Sequence, residues 1–150
     1  MTVQSAAGAS LGISSVAPGT YNEAGFAALT FTNCGEITNL GDFGRIYELI
    51  KHNALDTRAT TKLKGSYDEG QLPLELGFDA IDAGQTALRA ASVSDADFYF
   101  QVQLQSGKKF WFAAKVMGFR IKVGSVNDIV GAMVPLELTS VGGQGIVESA

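Results

Sequence analysis

The stretch Gln71–Ala91, QLPLELGFDAIDAGQTALRAA, changes its apolar period partway along, and that change constrains the fold more than any other feature of the chain. Leu72, Leu74, Leu76 and Phe78 alternate with Gln71, Pro73, Glu75, Gly77 and Asp79. A period of two describes a strand with one dry face and one wet face. Pro73 stands on the wet side and has no N–H to give a ladder, which predicts an edge or lightly paired strand. From Asp82 onward the period is helical. Asp82 as N-cap with Gln85 three residues later forms a capping box. Ala83, Ala87, Leu88, Ala90 and Ala91 supply helix propensity and an apolar side, with Arg89 facing out. One helix, about residues 82–92, is therefore expected against a sheet built from the rest.

That sheet is legible in pieces. Phe98, Phe100, Val102 and Leu104 alternate with Tyr99, Gln101, Gln103 and Gln105. The turn Gln105-Ser106-Gly107-Lys108 predicts a hairpin whose return strand carries Phe110, Phe112, Ala114 and Val116. Past Gly118 the apolar phase shifts to Phe119, Ile121 and Val123, which predicts a bulge or bend at Met117-Gly118. Val134, Leu136 and Leu138 give a last strand, with Met133, Pro135, Glu137 and Thr139 on its other side. Upstream, a strand is expected over about Ala27–Asn33, continuing into Glu36–Thr38. The segment from Arg45 to Gly65 fits helix and strand patterns alike; it is read as a strand, a long polar loop centred on His52–Thr61, and a return strand. Residues 1–14 and 140–150 are small and polar and are expected to be arms around a core at 15–139, ordered only when something docks them. The fold class that follows is mainly β: one antiparallel sandwich or barrel-like domain over 1–150, one flanking helix, and extended terminal arms.

Charged residues make up 17% of the chain, below the usual quarter, which points to a surface covered by other copies. A net charge of −4 opposes wrapping of nucleic acid through its phosphates. No apolar run approaches bilayer length, so no membrane is expected as a partner, and the first residues lack the basic and apolar regions of a signal peptide. Cys34 is alone, which excludes an internal disulfide, and His52 is alone too. No phosphate loop, dinucleotide fingerprint or zinc spacing occurs, so no cofactor, metal or catalytic residue is expected. Asp68, Glu69, Glu75, Asp79 and Asp82 are read as a turn and a solvated strand face; a small hydrolase using them, or a ligand-binding β-barrel, is the alternative. Lys108, Lys109, Lys115, Arg120 and Lys122 fall in a stretch with no acid between Asp97 and Asp128. Of these, Lys109, Lys115, Arg120 and Lys122 form a candidate basic interface toward the acidic segment of a neighbouring copy.

The order of motifs is then informative. Ala24–Gly44, AGFAALTFTNCGEITNLGDFG, leads to Tyr47-Glu48-Leu49, to Lys62-Leu63-Lys64-Gly65, to Asp68–Gly70 with the alternating Leu strand, and to Asp82–Leu88. Over roughly residues 15–140 the chain closely resembles the major tail tube protein of tailed bacteriophages, on motif order and not on any single short motif. The resemblance implies two packed antiparallel sheets with a flanking helix, a fold shared with the type VI secretion tube protein, and a type VI-like tube subunit is a further alternative. It implies hexameric rings closed by sheet extension and stacked into a hollow tube, with arms and a long loop joining the rings. It also implies a virion protein that is no enzyme, assembled in the bacterial host cytoplasm. The implied partners are other copies, a tape measure, a tail tip or baseplate and a tail terminator, with DNA passing transiently and without sequence recognition. Within that frame the wet strand faces make Gln71, Glu75, Asp79, Glu137 and Thr139 candidate lumen-lining residues, against a competing assignment of the Tyr99–Gln105 face. His52, Asn53, Asp56 and Arg58 are the candidate inter-subunit loop.

Overall fold

The computed structural model describes residues 3–150. In chain order the elements are β1 (Ser10–Ser14), α1 (Glu23–Ala27), β2 (Thr32–Cys34), β3 (Ile37–Asn39), β4 (Ile46–Asn53) and β5 (Thr60–Asp68). There follow β6 (Gln71–Gly77), α2 (Ala83–Ser92), β7 (Phe98–Gln103), β8 (Lys109–Val116), β9 (Arg120–Lys122), β10 (Gly131–Thr139) and β11 (Val147–Glu148). One antiparallel sheet takes the order β2-β1-β7-β8-β10-β6-β3, with β11 added to β8 and β9 to β10, while β4 and β5 pair with each other. The large sheet curls into a half-barrel. The mainly β, antiparallel, barrel-like class expected from the sequence is the class observed, built as one curled sheet plus a hairpin.

Alternation explains what fills the concave side. Leu72, Leu74 and Leu76 of β6 meet Val134, Leu136 and Leu138 of β10, Phe112, Ala114 and Val116 of β8, Phe100 and Val102 of β7, and Leu11 and Ile13 of β1. Helix α2 lies across this face with Leu88 and Ala91 in the same core. Asp82 caps it: Oδ2 accepts from the Gln85 N–H at 2.9 Å and from the Gly35 N–H at 3.1 Å. Gln85 is buried yet fully occupied: it accepts from the Asp79 N–H at 2.9 Å and donates to the carbonyls of Gly35 (3.1 Å) and Gly77 (2.8 Å). One side chain thus joins the β2–β3 turn, the end of β6 and the start of α2. Gly84 permits the approach, since a Cβ there would sit 2.3 Å from the Asn33 carbonyl oxygen.

The convex side carries a second, smaller core. Phe26 of α1 stacks on Trp111 at 6.0 Å and meets Tyr21 edge-on at 4.9 Å, over Ala113 of β8. The Tyr21 hydroxyl accepts from the Ala113 N–H and donates to the Gly145 carbonyl, and burial pushes its pKa up to about 12. The shift in apolar phase past Gly118 is a bulge. Val116 pairs Leu136 and Arg120 pairs Met133, so four steps on one side match three on the other.

Several expectations need correction. Residues 10–14 are not an arm: β1 lies between β2 and β7, with Leu11 and Ile13 buried. The core therefore starts before residue 15, and residues 1 and 2 of the expected arm lie outside the described residues. Within 140–150, β11 pairs with Trp111 and Phe110 of β8, so this end joins the sheet. The expected strand over Ala27–Asn33 is instead the last residue of a one-turn helix, a connection and the start of β2. Asn22 starts that helix by accepting from the Gly25 N–H. The expected His52–Thr61 loop is shorter, residues 54–59, with His52-Asn53 ending β4 and Thr60-Thr61 starting β5. Pro73 lies in β6, one strand in from the edge; among the described residues β3 pairs only with Leu76 and Glu75, so the Pro73 region is lightly paired as expected.

Candidate assembly surfaces

Strands of eight and nine residues make β4–β5 a ribbon of about 26 Å, and nearly all of it is exposed. Alternation separates two faces, with a bulge where Tyr47 pairs Tyr67 and Leu49 pairs Lys64. Tyr47, Leu49 and Lys51 share one face with Tyr67, Lys64 and Lys62. There the tyrosine rings meet edge-on at 5.4 Å, with the Arg45 guanidinium 3.8 Å from the centroid of Tyr67 and the Lys64 ammonium 4.9 Å from that of Tyr47. Ile46, Glu48, Ile50 and His52 form the other face, where Ile46 pairs Asp68 and Ile50 pairs Leu63. Ile46 is 74% exposed and Leu63 56%. Two paired strands alone are marginal in water, and apolar residues on both faces need a cover.

The ribbon's root is firm. Glu69, almost fully buried, accepts from Arg45 Nε at 3.1 Å and Nη2 at 2.9 Å. Hydrogen bonds to Tyr47 and to Glu69 raise the Arg45 pKa above its ordinary value. Gly145 passes so close to Glu69 that a Cβ would lie 2.2 Å from Oε1, and the Tyr67 hydroxyl donates to the Gly143 carbonyl. Of the candidate loop residues, His52 and Asn53 end β4, with Asn53 Oδ1 accepting from the Thr60 hydroxyl, while Asp56 and Arg58 sit at the tip beside fully exposed Leu55.

Four of the five lumen candidates share one face. Glu137 of β10 lies between Gln71 of β6 and Lys115 of β8; Met133 lies between Glu75 and Arg120; Thr139 pairs Ala113. Asp79 does not join them: β6 ends at Gly77, and the Asp79 carboxylate accepts from the Ile81 N–H in the approach to α2. The acidic and basic sets expected on separate surfaces are therefore interleaved on one. Lys115 is engaged within the chain, 2.7 Å from Asp97 Oδ1. Lys109 lies roughly 20 Å along β8 from Lys115, with its backbone held by Ser149. Arg120 and Lys122 are exposed and form no ion pair among the described residues. Strand pairing created this mixture, and composition could not reveal it. The competing Tyr99–Gln105 face is partly covered, because Phe26 packs toward Tyr99 and Gln101 accepts from the Trp111 indole.

An open groove of about 440 Å³ runs past Thr38, Glu75, Met133, Arg120 and Lys122. The concave side is filled by α2 and the core, where a ligand-binding barrel would hold its cavity. Among the described residues no group of three His, Cys, Asp or Glu could hold a metal ion, and no helix is long and apolar enough to cross a membrane. What this surface offers is exposed apolar strand and complementary charge.

No protein-family model matches the sequence, and no curated protein sequence matches it. Solved structures do. A chain in the six-fold symmetrised cryo-EM structure of the anti-feeding prophage baseplate gives a TM-score of 0.59 at 9% identity, over 91% of this chain and 93% of that one. A chain in the cryo-EM structure of the PVC sheath/tube terminator of an extracellular contractile injection system, in the extended state, gives 0.57 at 12% identity, over 79% and 87%. At these identities the likeness is one of fold. The chain has a fold found in components of phage-tail-like injection particles.

Proposed function

We propose that this chain is the repeating structural subunit of a tail-like tube. Copies close into hexameric rings, and the rings stack into a hollow conduit through which DNA leaves a phage-like particle. The observation that carries this reading is the β4–β5 ribbon, with exposed apolar side chains on both faces and an anchor from Arg45 to buried Glu69. Covering the exposed parts of Ile46, Leu49, Ile50 and Leu63 contributes about 1 kcal/mol each, enough to hold copies together when repeated around a ring. The six-fold symmetry of the matched baseplate supports a six-membered ring. The role is structural and not catalytic. Assembly takes place in the cytoplasm of a bacterial host, with a tape measure, a tip or baseplate and a terminator as partners.

The convex face of β6 and β10 is our choice for the lumen wall, with Gln71, Glu75, Glu137 and Thr139 lining it. Lys115 beside Glu137 makes that lining mixed in sign, so it holds phosphate weakly without the uniform repulsion of a purely acidic ring. A second reading follows from the matched baseplate and sheath/tube terminator: a single ring closing one end of a tube.

Electron microscopy and sedimentation of the purified protein test both. Long tubes support the first reading, isolated rings the second, and a monomer at every concentration defeats both. Replacing Glu48–Ser66 by an Asn-Gly turn should leave the melting temperature within about 3 °C, because little of the ribbon is buried, and should abolish assembly.

A further inference from the structure

The ribbon's root and a loop of exposed apolar residues lie at opposite ends of β10. At one end, the Leu138 N–H donates to Gly70, directly after β5, and Glu69 anchors Arg45. At the other, β9 pairs Gly131–Met133 and runs into a loop where Val126 is 97% exposed and Ile129 86%. Nine residues of β10 separate them by about 25 Å. Among the described residues strand β9 pairs only with β10, leaving its second edge open. A partner arriving along that edge meets Ile121 and Val123 from one side of the strand and Arg120 and Lys122 from the other.

The ribbon face formed by Ile46, Ile50 and Leu63 has the complementary character. It is apolar, and its charges are the acids Glu48 and Asp68. Glu48 and Asp68 are diagonal neighbours, about 7–8 Å apart, and Arg120 and Lys122 are one two-residue step apart, about 7 Å. The opposite ribbon face is rich in lysine and would repel the same site. Complementary charge thus selects both the occupant and which of its faces lies down.

Resting on the self-assembly reading above, we propose that the Ile46–Ile50–Leu63 face of one copy seats on the β9 edge and the following loop of a second copy. Glu48 and Asp68 then lie against Arg120 and Lys122. Donor and acceptor surfaces are different patches, so the contact is head-to-tail. It repeats from copy to copy and closes a ring or propagates as a filament.

The test is a charge exchange read by sedimentation at a fixed subunit concentration and low salt. Glu48→Lys and Arg120→Glu should each reduce the assembled fraction at least tenfold. The chain carrying both should recover at least half of wild-type assembly, with circular dichroism confirming that all variants fold. Wild-type assembly with unimpaired single variants, or with a double variant as defective as the singles, overturns this pairing and leaves the tube reading standing. A wild-type protein that stays monomeric overturns both.

Discussion

Replacing Gln85 by Leu tests whether one buried amide holds three parts of the fold together. The change keeps the size and apolar stem and removes one acceptor and two donations, leaving the Asp79 N–H and the Gly35 and Gly77 carbonyls without this partner. Each orphaned group costs about 1–3 kcal/mol, and the extra apolar burial of Leu returns about 1–2. The net loss is about 3 kcal/mol, a large share of a typical 5–15. Urea unfolding at a subunit concentration below assembly should show a midpoint lowered by about 1.5 M at an unchanged slope of about 2 kcal/mol/M, and melting lowered by about 6–12 °C. Gln85→Glu should be worse at neutral pH, since a carboxylate then faces two carbonyl oxygens. That carboxyl would have its folded pKa raised above its unfolded value, so the deficit should shrink as pH falls toward and below about 4.3. Thr86→Ala, which removes an exposed hydroxyl bonded to the Asp82 carbonyl, is the control and should cost under about 0.5 kcal/mol. A Gln85→Leu loss no larger than the control's would refute the reasoning.

The Cys34 thiol, its pKa pushed up to about 12 first by burial and then by Asp82, should resist a thiol reagent in the folded subunit and react in denaturant. Because its folded pKa is raised, its contribution to stability is complete below about pH 8.5 and is lost as pH rises toward 12. Cys34→Ala should flatten that alkaline decline in a melting series. Removing residues 3–9 should leave the melting temperature nearly unchanged, whereas removing residues through 14 deletes buried Leu11 and Ile13 with a sheet strand and should abolish cooperative unfolding. The Asp128 carboxyl is held below the usual carboxylate range, first by the Ser125 N–H and then by its hydroxyl. The turn it closes is therefore fully supported above about pH 3.9 and loosens as pH falls through the lower folded value. Amide exchange at Ser125 should accelerate at neutral pH in Asp128→Asn, and the difference from wild type should narrow as the wild-type carboxyl protonates at lower pH.

Strands β6, β7 and β10 and helix α2 were legible because each buries a single face, and a one-sided environment writes its period into the residues; β8, buried on both faces over Trp111–Ala114, was legible through the hairpin turn before it. Strand β1 was not: Ser10-Leu11-Gly12-Ile13-Ser14 holds two apolar side chains, and Gly12 is closed in by Phe31 from a distant segment. The ribbon failed for the converse reason. Neither of its faces is buried within the chain, so Ile46–Asn53 has no period to display. Site residues were legible as exposed polar positions, but their neighbours depended on pairing. Arg120 and Glu75 are 45 positions apart and meet across Met133 only once β6, β9 and β10 are in register.

The thin, two-stranded build of the ribbon has a kinetic consequence for any assembly it joins. Because β4 and β5 are exposed on both faces, a free subunit is expected to hold the docking shape for only part of the time. The first contact must supply that ordering, which lowers apparent affinity by the populated fraction. A ribbon already clasped by a neighbour is preformed, and the next copy escapes the penalty. Growth from such subunits is nucleated, with a lag that a preassembled seed removes. On the proposed tube reading, subunits therefore accumulate without forming tubes until a starting ring exists.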